Sequence, residues 1–468
     1  MTLPSQTTTI TDGAIALASG ALSDVWAFVG ACSSGTAGTV YSFTSPTDVV
    51  STLGYGPLSE MLAFTLARNG GSVWAVKVTS NVAAVASAVV SAGSSPPTLT
   101  LTGTPTDTFD GIVRIVTGGA RGTATFKYSL DGGDTYSAEL LTAATYLMPN
   151  SGVTLNFASG TYASDNVYTF TTTEPSFDST NLNTALDALI NSGKAFDAVH
   201  VVGFPQGADN AAKATASAAI AAALDAKLDT LATQQRWACG VTECGVVTND
   251  ASGDSALATA FGSTIAKQVS ACADTCEVIS PITGRLYTRS VAWPYVAKLR
   301  ERPFSTPAHQ VEGGELKCSS IRRDEYLRNG LDIARLVTAR TWPSKVGFFI
   351  TRPLLLHATP SDYDQMQFRR VIHAAAKLTW VAFGRFQNKN TPTKTDGTID
   401  EAYAKTIEAE VDRSLNDLVA AGHAQAAFSQ VNRTINIMST RTVKVKVRVK
   451  RFEVAEYLDV ELGFQPAT

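Results

Sequence analysis

The sequence predicts a mixed α/β fold of α+β character: a core of strands and helices, an inserted all-β module, and extended arms at both ends. Three observations predict it. Apolar runs of strand length alternate with helical segments over residues 21–97 and again over 175–300. Residues 98–174 break that pattern, with Thr-, Val- and Tyr-rich runs punctuated by Gly, Asp and Asn and no convincing helix. The chain begins and ends on β-prone stretches, "TTTIT" at 7–11 and "RTVKVKVRVKRF" at 441–452.

Each element follows in order. Residues 1–20, with Thr7, Thr8, Thr9 and Ile10, hold few apolar anchors and read as an extended arm. "VWAFVG" (25–30) is a buried strand. "PLSEMLAFTLARNGG" (57–71) is a helix with Pro in its first turn, Leu58, Leu62 and Leu66 at helical spacing, and glycines as its stop. "SVWAVKV" (72–78) is the next strand, and Pro96-Pro97 marks a boundary. In the module, "LTLTG", "GIVRIV", "ATFKYSL" and "VYTFTTT" are strand candidates. There "SLDGGDTY" (129–136) is similar to the Asp-box turn of sialidase-type propellers, with Ser129, Asp131, Gly133 and Thr135 at its defining positions. A single copy, with Tyr136 in place of the usual Trp, reads as a structural hairpin.

The α/β pattern resumes with a helix closed by Gly193, the strand "FDAVHVVG" (196–203) and an Ala-rich helix at about 208–233. "RWACGVTEC" (236–244), a helix near 254–270 and "CEVISP" (276–281) follow, an alternation that favours a mainly parallel sheet under helices. Residues 301–440 form a C-terminal core region. It has a helical segment at 361–384, and a second helix opened by a capping box at Thr398 and Glu401, striped by Tyr403, Ile407, Val411, Leu415 and Leu418, and ended by Gly422. Residues 441–468 are the C-terminal strand arm.

The remaining composition mostly excludes. No apolar run is long enough to span a membrane, and "MTLPSQTTTI" lacks the basic and apolar parts of a signal peptide, which makes the cytosol the expected site of synthesis. Six cysteines are too few for a disulfide scaffold of 468 residues; Cys239, Cys244, Cys272 and Cys276 lack metal-site spacing and read as buried thiols. "GACSSGT" (30–36) has Thr36 where a phosphate loop needs Lys, and no nucleophile elbow or paired histidines occur. No catalytic, cofactor or metal site is therefore expected. Charge is uneven: residues 1–280 carry 10 basic against 22 acidic side chains, and residues 281–468 carry 28 against 19. The basic C-terminal region either meets an acidic partner or offsets the rest of the molecule.

The closing strand poses the functional question. Val443, Val445, Val447 and Val449 alternate with Lys444, Lys446, Arg448 and Lys450, giving one apolar and one cationic face over roughly 30 Å. Two readings fit: an amphipathic strand of the molecule's own sheet with lysines guarding its edge, or a strand donated to a neighbouring copy.

A family resemblance bears on that choice. The run from "VWAFVG" through Leu53-Gly54 and Asn69-Gly70-Gly71 to "SVWAVKV" resembles the opening of contractile tail sheath proteins of myovirus-type bacteriophages. The resemblance continues in "FDAVHVVG", in "GFFITRPLLLHATPSDYDQMQFRRVIHAAA" and in the basic end strand, and covers most of the chain outside 98–174. It implies a non-enzymatic structural subunit that stacks as hexameric rings in a helical sleeve around a tail tube, without cofactor. Contraction of the sleeve would drive the tube through a host envelope. The implied partners are further copies of itself, the tube protein, and baseplate and terminator proteins, with no membrane or direct nucleic-acid contact. The implied location is the virion, after assembly in the host cytoplasm. Both arms, Thr7 to Ile10 and Val443 to Lys450, would reach into neighbours, the module would sit on the outer face, and Arg369, Arg370 or Lys377 would face an acidic tube, unless that helix face is merely solvated. The rival readings are a nucleotide-dependent α/β enzyme and a nucleic-acid-binding protein that uses the basic half.

Overall fold

The computed structural model describes residues 24–358 and 360–456, so Thr7, Thr8, Thr9 and Ile10 lie outside the described residues. Its core is a six-stranded sheet. Strands β1 (Trp26–Gly30), β2 (Val40–Phe43) and β3 (Val73–Lys77) come from the first part of the chain. Ten short strands, β4–β13, fill residues Val90 to Thr171. Strands β14 (Ala198–Val202), β15 (Cys239–Glu243) and β16 (Val269–Cys272) then complete the sheet in the order β16-β15-β14-β1-β3-β2. All neighbours are parallel except β2, which runs antiparallel along β3 at the edge.

The central strands are apolar at nearly every residue because both faces are covered. In β1, Trp26 and Phe28 point into one cluster with Leu58, Leu62 and Val296, while Ala27 and Val29 point into another with Leu182, Leu224 and Phe261. The first cluster belongs to helices α1 (Pro46–Leu53) and α2 (Pro57–Asn69), joined later by α6 (Ala292–Glu301). The second belongs to α3 (Ser179–Asn191), α4 (Asn210–Thr233) and α5 (Ala251–Gly262). Helix α2 is buried from Pro57 to Leu66 without interruption, since α6 packs on the side that the sheet leaves open. Asp178, Asp209 and Asp250 cap α3, α4 and α5 by accepting backbone N–H groups of the first turn.

Three local expectations differ from the structure. Helix α5 ends at Gly262, and part of the stretch read as its continuation is β16, whose four residues are all buried. The run 276–281 leaves the parallel sheet: β17 (Thr275–Ile279) is the middle strand of a small antiparallel sheet with β18 (Leu286–Ser290) and β19 (Ser320–Ile321). The helix after residue 400 is capped by Asp400, which accepts from Ala402 and Tyr403 N–H at 2.9 and 3.1 Å, so Thr398 lies outside it.

Residues 90–171 contain strands and no helix; the larger sheet has the order β4 (Val90–Ala92), β13 (Val167–Thr171), β6 (Asp110–Thr117), β8 (Thr125–Ser129) and β9 (Leu140–Leu141). Their own aromatic core includes Phe126, Phe157, Tyr162 and Tyr168, and it extends to Tyr287 of β18. After a two-stranded ladder, β20 (Ala339–Thr341) with β21 (Phe348–Ile350), the chain builds a last unit. It consists of helices α7 (Met366–Gly384) and α8 (Glu401–Ala420), strand β22 (Ala426–Val431), the single turn α9 (Ile437–Thr440) and strand β23 (Val445–Lys450). Val371, Leu378, Ile407, Val411 and Leu415 form its core.

Candidate functional site

The opening alternation of the terminal strand is realised as an antiparallel hairpin. Strand β23 pairs with β22 from Ala426↔Lys450 to Val431↔Val445, and Asn432 N–H donates to the Lys444 carbonyl at 2.8 Å, extending the ladder by one residue. Val443, Val445, Val447 and Val449 are half-buried against the α7–α8 core, while Lys444, Lys446, Arg448 and Lys450 are exposed on the other face. In the isolated subunit this strand therefore belongs to its own chain.

The two edges of the hairpin are not equivalent. On β22, Ser429 and Val431 turn their N–H groups away from β23. They donate to Asp412 Oδ1 at 2.6 Å and Glu408 Oε1 at 2.7 Å, both on α8. Arg433 locks Glu408, donating to it at 2.8 and 2.9 Å, and ties it to Glu401, to which it also donates at 2.8 and 2.9 Å. That edge is closed. Since Asn432 bonds Lys444, the even-numbered residues of β23 face β22, and Val445, Val447 and Val449 direct their N–H and C=O groups outward. Among the described residues no strand pairs that outer edge. It can accept a further strand, with valine methyls below and cations above.

Helix α7 corrects part of the expected tube-facing set. Arg370 is 6% exposed, with Nη2 2.5 Å from Asp24 Oδ1 and the guanidinium 5.8 Å from the ring centres of both Trp26 and Phe304. A cation so placed is an internal tie between the start of the described chain and the helix, not a surface contact. Lys377 is paired with Asp197. Arg369 is half-buried, lies 5.6 Å over the Tyr363 ring, and leaves its Nε without a hydrogen-bond partner. Deeper on the same helix, burial pushes His373 well below the ordinary histidine range, helped by Arg369 and Lys377, and its Nδ1 sits 3.5 Å from Cys239 Sγ.

One arrangement had no sequence signal. Both described ends of the chain meet the start of α7. Asp24 binds Arg370, the Arg451 guanidinium covers the Phe368 ring at 3.9 Å, and Glu456 accepts from Gln365. These contacts join residues far apart in sequence, so no local pattern could disclose them.

Elsewhere the candidate positions are structural. Ser129 Oγ donates to Asp131 Oδ1 at 2.6 Å and accepts from Gly133 N–H at 2.9 Å, and Thr135 N–H donates to Asp131 at 3.0 Å. Gly132 and Gly133 supply φ of 71° and 104°, which L-residues rarely adopt. Burial works against ionisation of Asp131, but the Ser129 and Thr135 hydrogen bonds hold its carboxyl below the usual range. Among the described residues no group of three His, Cys, Asp or Glu side chains could hold a metal, and no helix is long and apolar enough to cross a membrane.

The six cysteines are free thiols, five of them buried and Cys318 half-buried. Burial pushes Cys32 up to about 12 and Cys239 up to about 11. Half-buried Cys318 is lowered by a hydrogen bond with Cys276 and by the nearby Arg68 guanidinium, against its burial. Cys318 is expected to be alkylated about tenfold or more ahead of the other five at about pH 7.5. Peptide mass mapping after limited iodoacetamide treatment checks this, and uniform labelling would refute it.

Comparison with known proteins gives the class first. The structure is similar over 99% of its length to the helical sheath of the anti-feeding prophage in the contracted state, covering 99% of that chain at 13% identity with a TM-score of 0.52. Likewise it matches the sheath complex of the extracellular contractile injection system PVC, also contracted, over 100% of this chain and 99% of that one, at 11% identity and a TM-score of 0.52. A chain of the anti-feeding prophage baseplate in its contracted state matches at 13% identity and a TM-score of 0.53, over 99% and 98% of the two chains. The fold is that of contractile tail sheath proteins. The profile described as "DUF2586, N-terminal domain" matches residues 3–352, and the chain belongs to that family. No curated protein matches the sequence.

Proposed function

We propose that the chain is the structural subunit of a contractile sheath, assembling with copies of itself as stacked hexameric rings around a tail tube and contracting to drive that tube through a target envelope. The observation that carries this reading is the open outer edge of β23 in a molecule with the sheath fold over almost its whole length. Edge addition gives a head-to-tail contact, and head-to-tail contacts build open helical assemblies. Strand Val443 to Lys450 is then the receiving edge and, with Thr7 to Ile10, part of the linkage between neighbours. The energy of contraction comes from repacking of subunits, which requires no catalytic group or cofactor. Baseplate and terminator proteins close the ends of the sleeve, and the β-module of residues 90–171 faces outward. The assembly belongs to a virion tail or a related injection device, built in the producing cell.

Of the three cations first expected at the tube, Arg369 is kept, since unlike Arg370 it is half-buried and unlike Lys377 it forms no salt bridge among the described residues. Arg369→Glu should prevent sheath from forming on purified tubes, and unchanged tube-bound sheath would remove this residue from the contact. The experiment for the function itself is negative-stain electron microscopy of the concentrated chain, alone and with its tube. Rings or striated hollow tubes are expected. A dispersed monomer under both conditions would overturn the reading.

A further inference from the structure

One buried ionic cluster joins the β-module to the core, and nothing in sheath assembly accounts for it. Arg289, the fourth residue of β18, is 1% exposed. Its Nη1 and Nη2 donate to Asp107 Oδ1 and Oδ2 at 2.7 and 2.6 Å, and Nη1 lies 3.6 Å from Glu174 Oε2. Asp107 sits in the module loop before β6 (Asp110–Thr117), and Glu174 follows β13 (Val167–Thr171), where the chain returns to the core. A third carboxyl, Glu60 of α2, reaches the same region. The three carboxyls are 3%, 1% and 2% exposed. The rings of Tyr287 and Trp293 lie 4.6 and 4.9 Å from the guanidinium and exclude water from it.

The charges do not balance. A single guanidinium neutralises one carboxylate, and Asp107 takes it bidentately. Ionised Glu60 and Glu174 would leave two buried negative charges without a counter-ion of their own, which a low-dielectric interior strongly disfavours. The other groups facing them do not correct this. Ser280 Oγ bonds Glu60 Oε2 at 2.6 Å, and the Phe204 N–H donates to Glu174 Oε1 at 2.6 Å, but both are neutral. Glu243 of β15 adds negative charge beside Glu174; it accepts from Trp293 Nε1–H at 2.9 Å and lies 3.1 Å from His200 Nε2. Arg285 acts on Glu60 only weakly, after Arg289, Ser280 and Asp107. Accordingly burial, opposed by Arg289, pushes Glu60 up to about 7, and burial with the Asp107 charge pushes Glu174 up to about 8.

We propose that Arg289, Asp107, Glu174 and Glu60 form a proton-dependent latch, closed while both glutamates hold their protons and loosened when they ionise, that sets how firmly the β-module is fixed to the core. Both glutamates bind protons more tightly in the folded chain than in the unfolded one. The stability they contribute is therefore fully present below the ordinary glutamate range near 4.5 and is lost as pH rises through 7 to 8.

Hydrogen–deuterium exchange of the full chain at about pH 6 and about pH 9, corrected for the intrinsic pH dependence of exchange, tests this. Protection at segments 104–109 and 172–176 should fall about tenfold or more at the higher pH, while β1 and β14 stay protected. The double variant Glu60→Gln/Glu174→Gln, neutral at every pH, should lose that dependence. Should the pair fail to fold, Glu60→Gln alone should halve the logarithmic change. Equal corrected protection at both pH values in the wild type, or a glutamine variant with the full wild-type loss, would overturn the latch.

Discussion

Val447→Pro is expected to leave the subunit folded and to abolish its polymerisation. The Val447 N–H points to the open edge of β23, so the substitution removes no bond to β22. A proline ring at an edge strand also matches the half-buried apolar character of the position. What it removes is the donor that an incoming strand needs. One lost hydrogen bond is worth about 0.5–1.5 kcal/mol, and the ring adds a steric obstacle at every copy of the contact. Together these should raise the critical concentration for assembly about tenfold or more. Sedimentation and electron microscopy read the polymer, while circular dichroism reads the fold. Two controls sharpen the result. Val447→Ala keeps the donor and should still assemble, whereas Lys446→Pro removes a bond to Gln430 and should disrupt the hairpin itself. Normal polymers from Val447→Pro would show that the outer edge of β23 is not the contact.

Arg289→Leu should be the most destabilising single change in the molecule's ionic network, with a loss of about 3–5 kcal/mol in equilibrium denaturation. The substitution leaves the Asp107 carboxyl buried beside Glu174, with its bidentate partner gone. Adding Asp107→Asn removes that orphaned carboxyl and should recover much of the loss, because replacing both partners of a buried pair costs less than breaking it. A loss below about 1 kcal/mol for Arg289→Leu would mean that water reaches the cluster and screens it.

How much of this could be read beforehand depended on how local the cause was. The strands "VWAFVG" and "FDAVHVVG" announced themselves because a strand covered on both faces is apolar throughout, and β1 and β14 lie side by side in the sheet. The valine–lysine alternation at the chain end showed one buried and one solvated face, and the structure has that pattern from Val443 to Lys450. Strand β16 was missed because its four residues, "VSAC", are too few for periodicity to separate from a helix end. Arg370 was misassigned for a different reason. A guanidinium on a helix reads as solvent-facing unless its counter-ion is known, and Asp24 lies hundreds of residues away in the chain. The Arg289–Asp107 pair, separated by 182 positions, was equally silent. Non-local ion pairs leave no spacing to recognise, whereas non-local burial does, through hydrophobicity.

The meeting of both described chain ends at the start of α7 has a mechanical consequence. If neighbours pull on one subunit through its two ends, the load enters and leaves through the same few residues, Asp24 with Arg370 and Arg451 with Phe368. Part of the tension would then run across one end of a single helix, beside the path that enters the sheet through Val25 and β1. In the proposed assembly the bulk of each subunit would then be able to swing about that junction with less of the load upon it. A lattice built this way can change its pitch and diameter while its links stay closed and its bodies stay rigid.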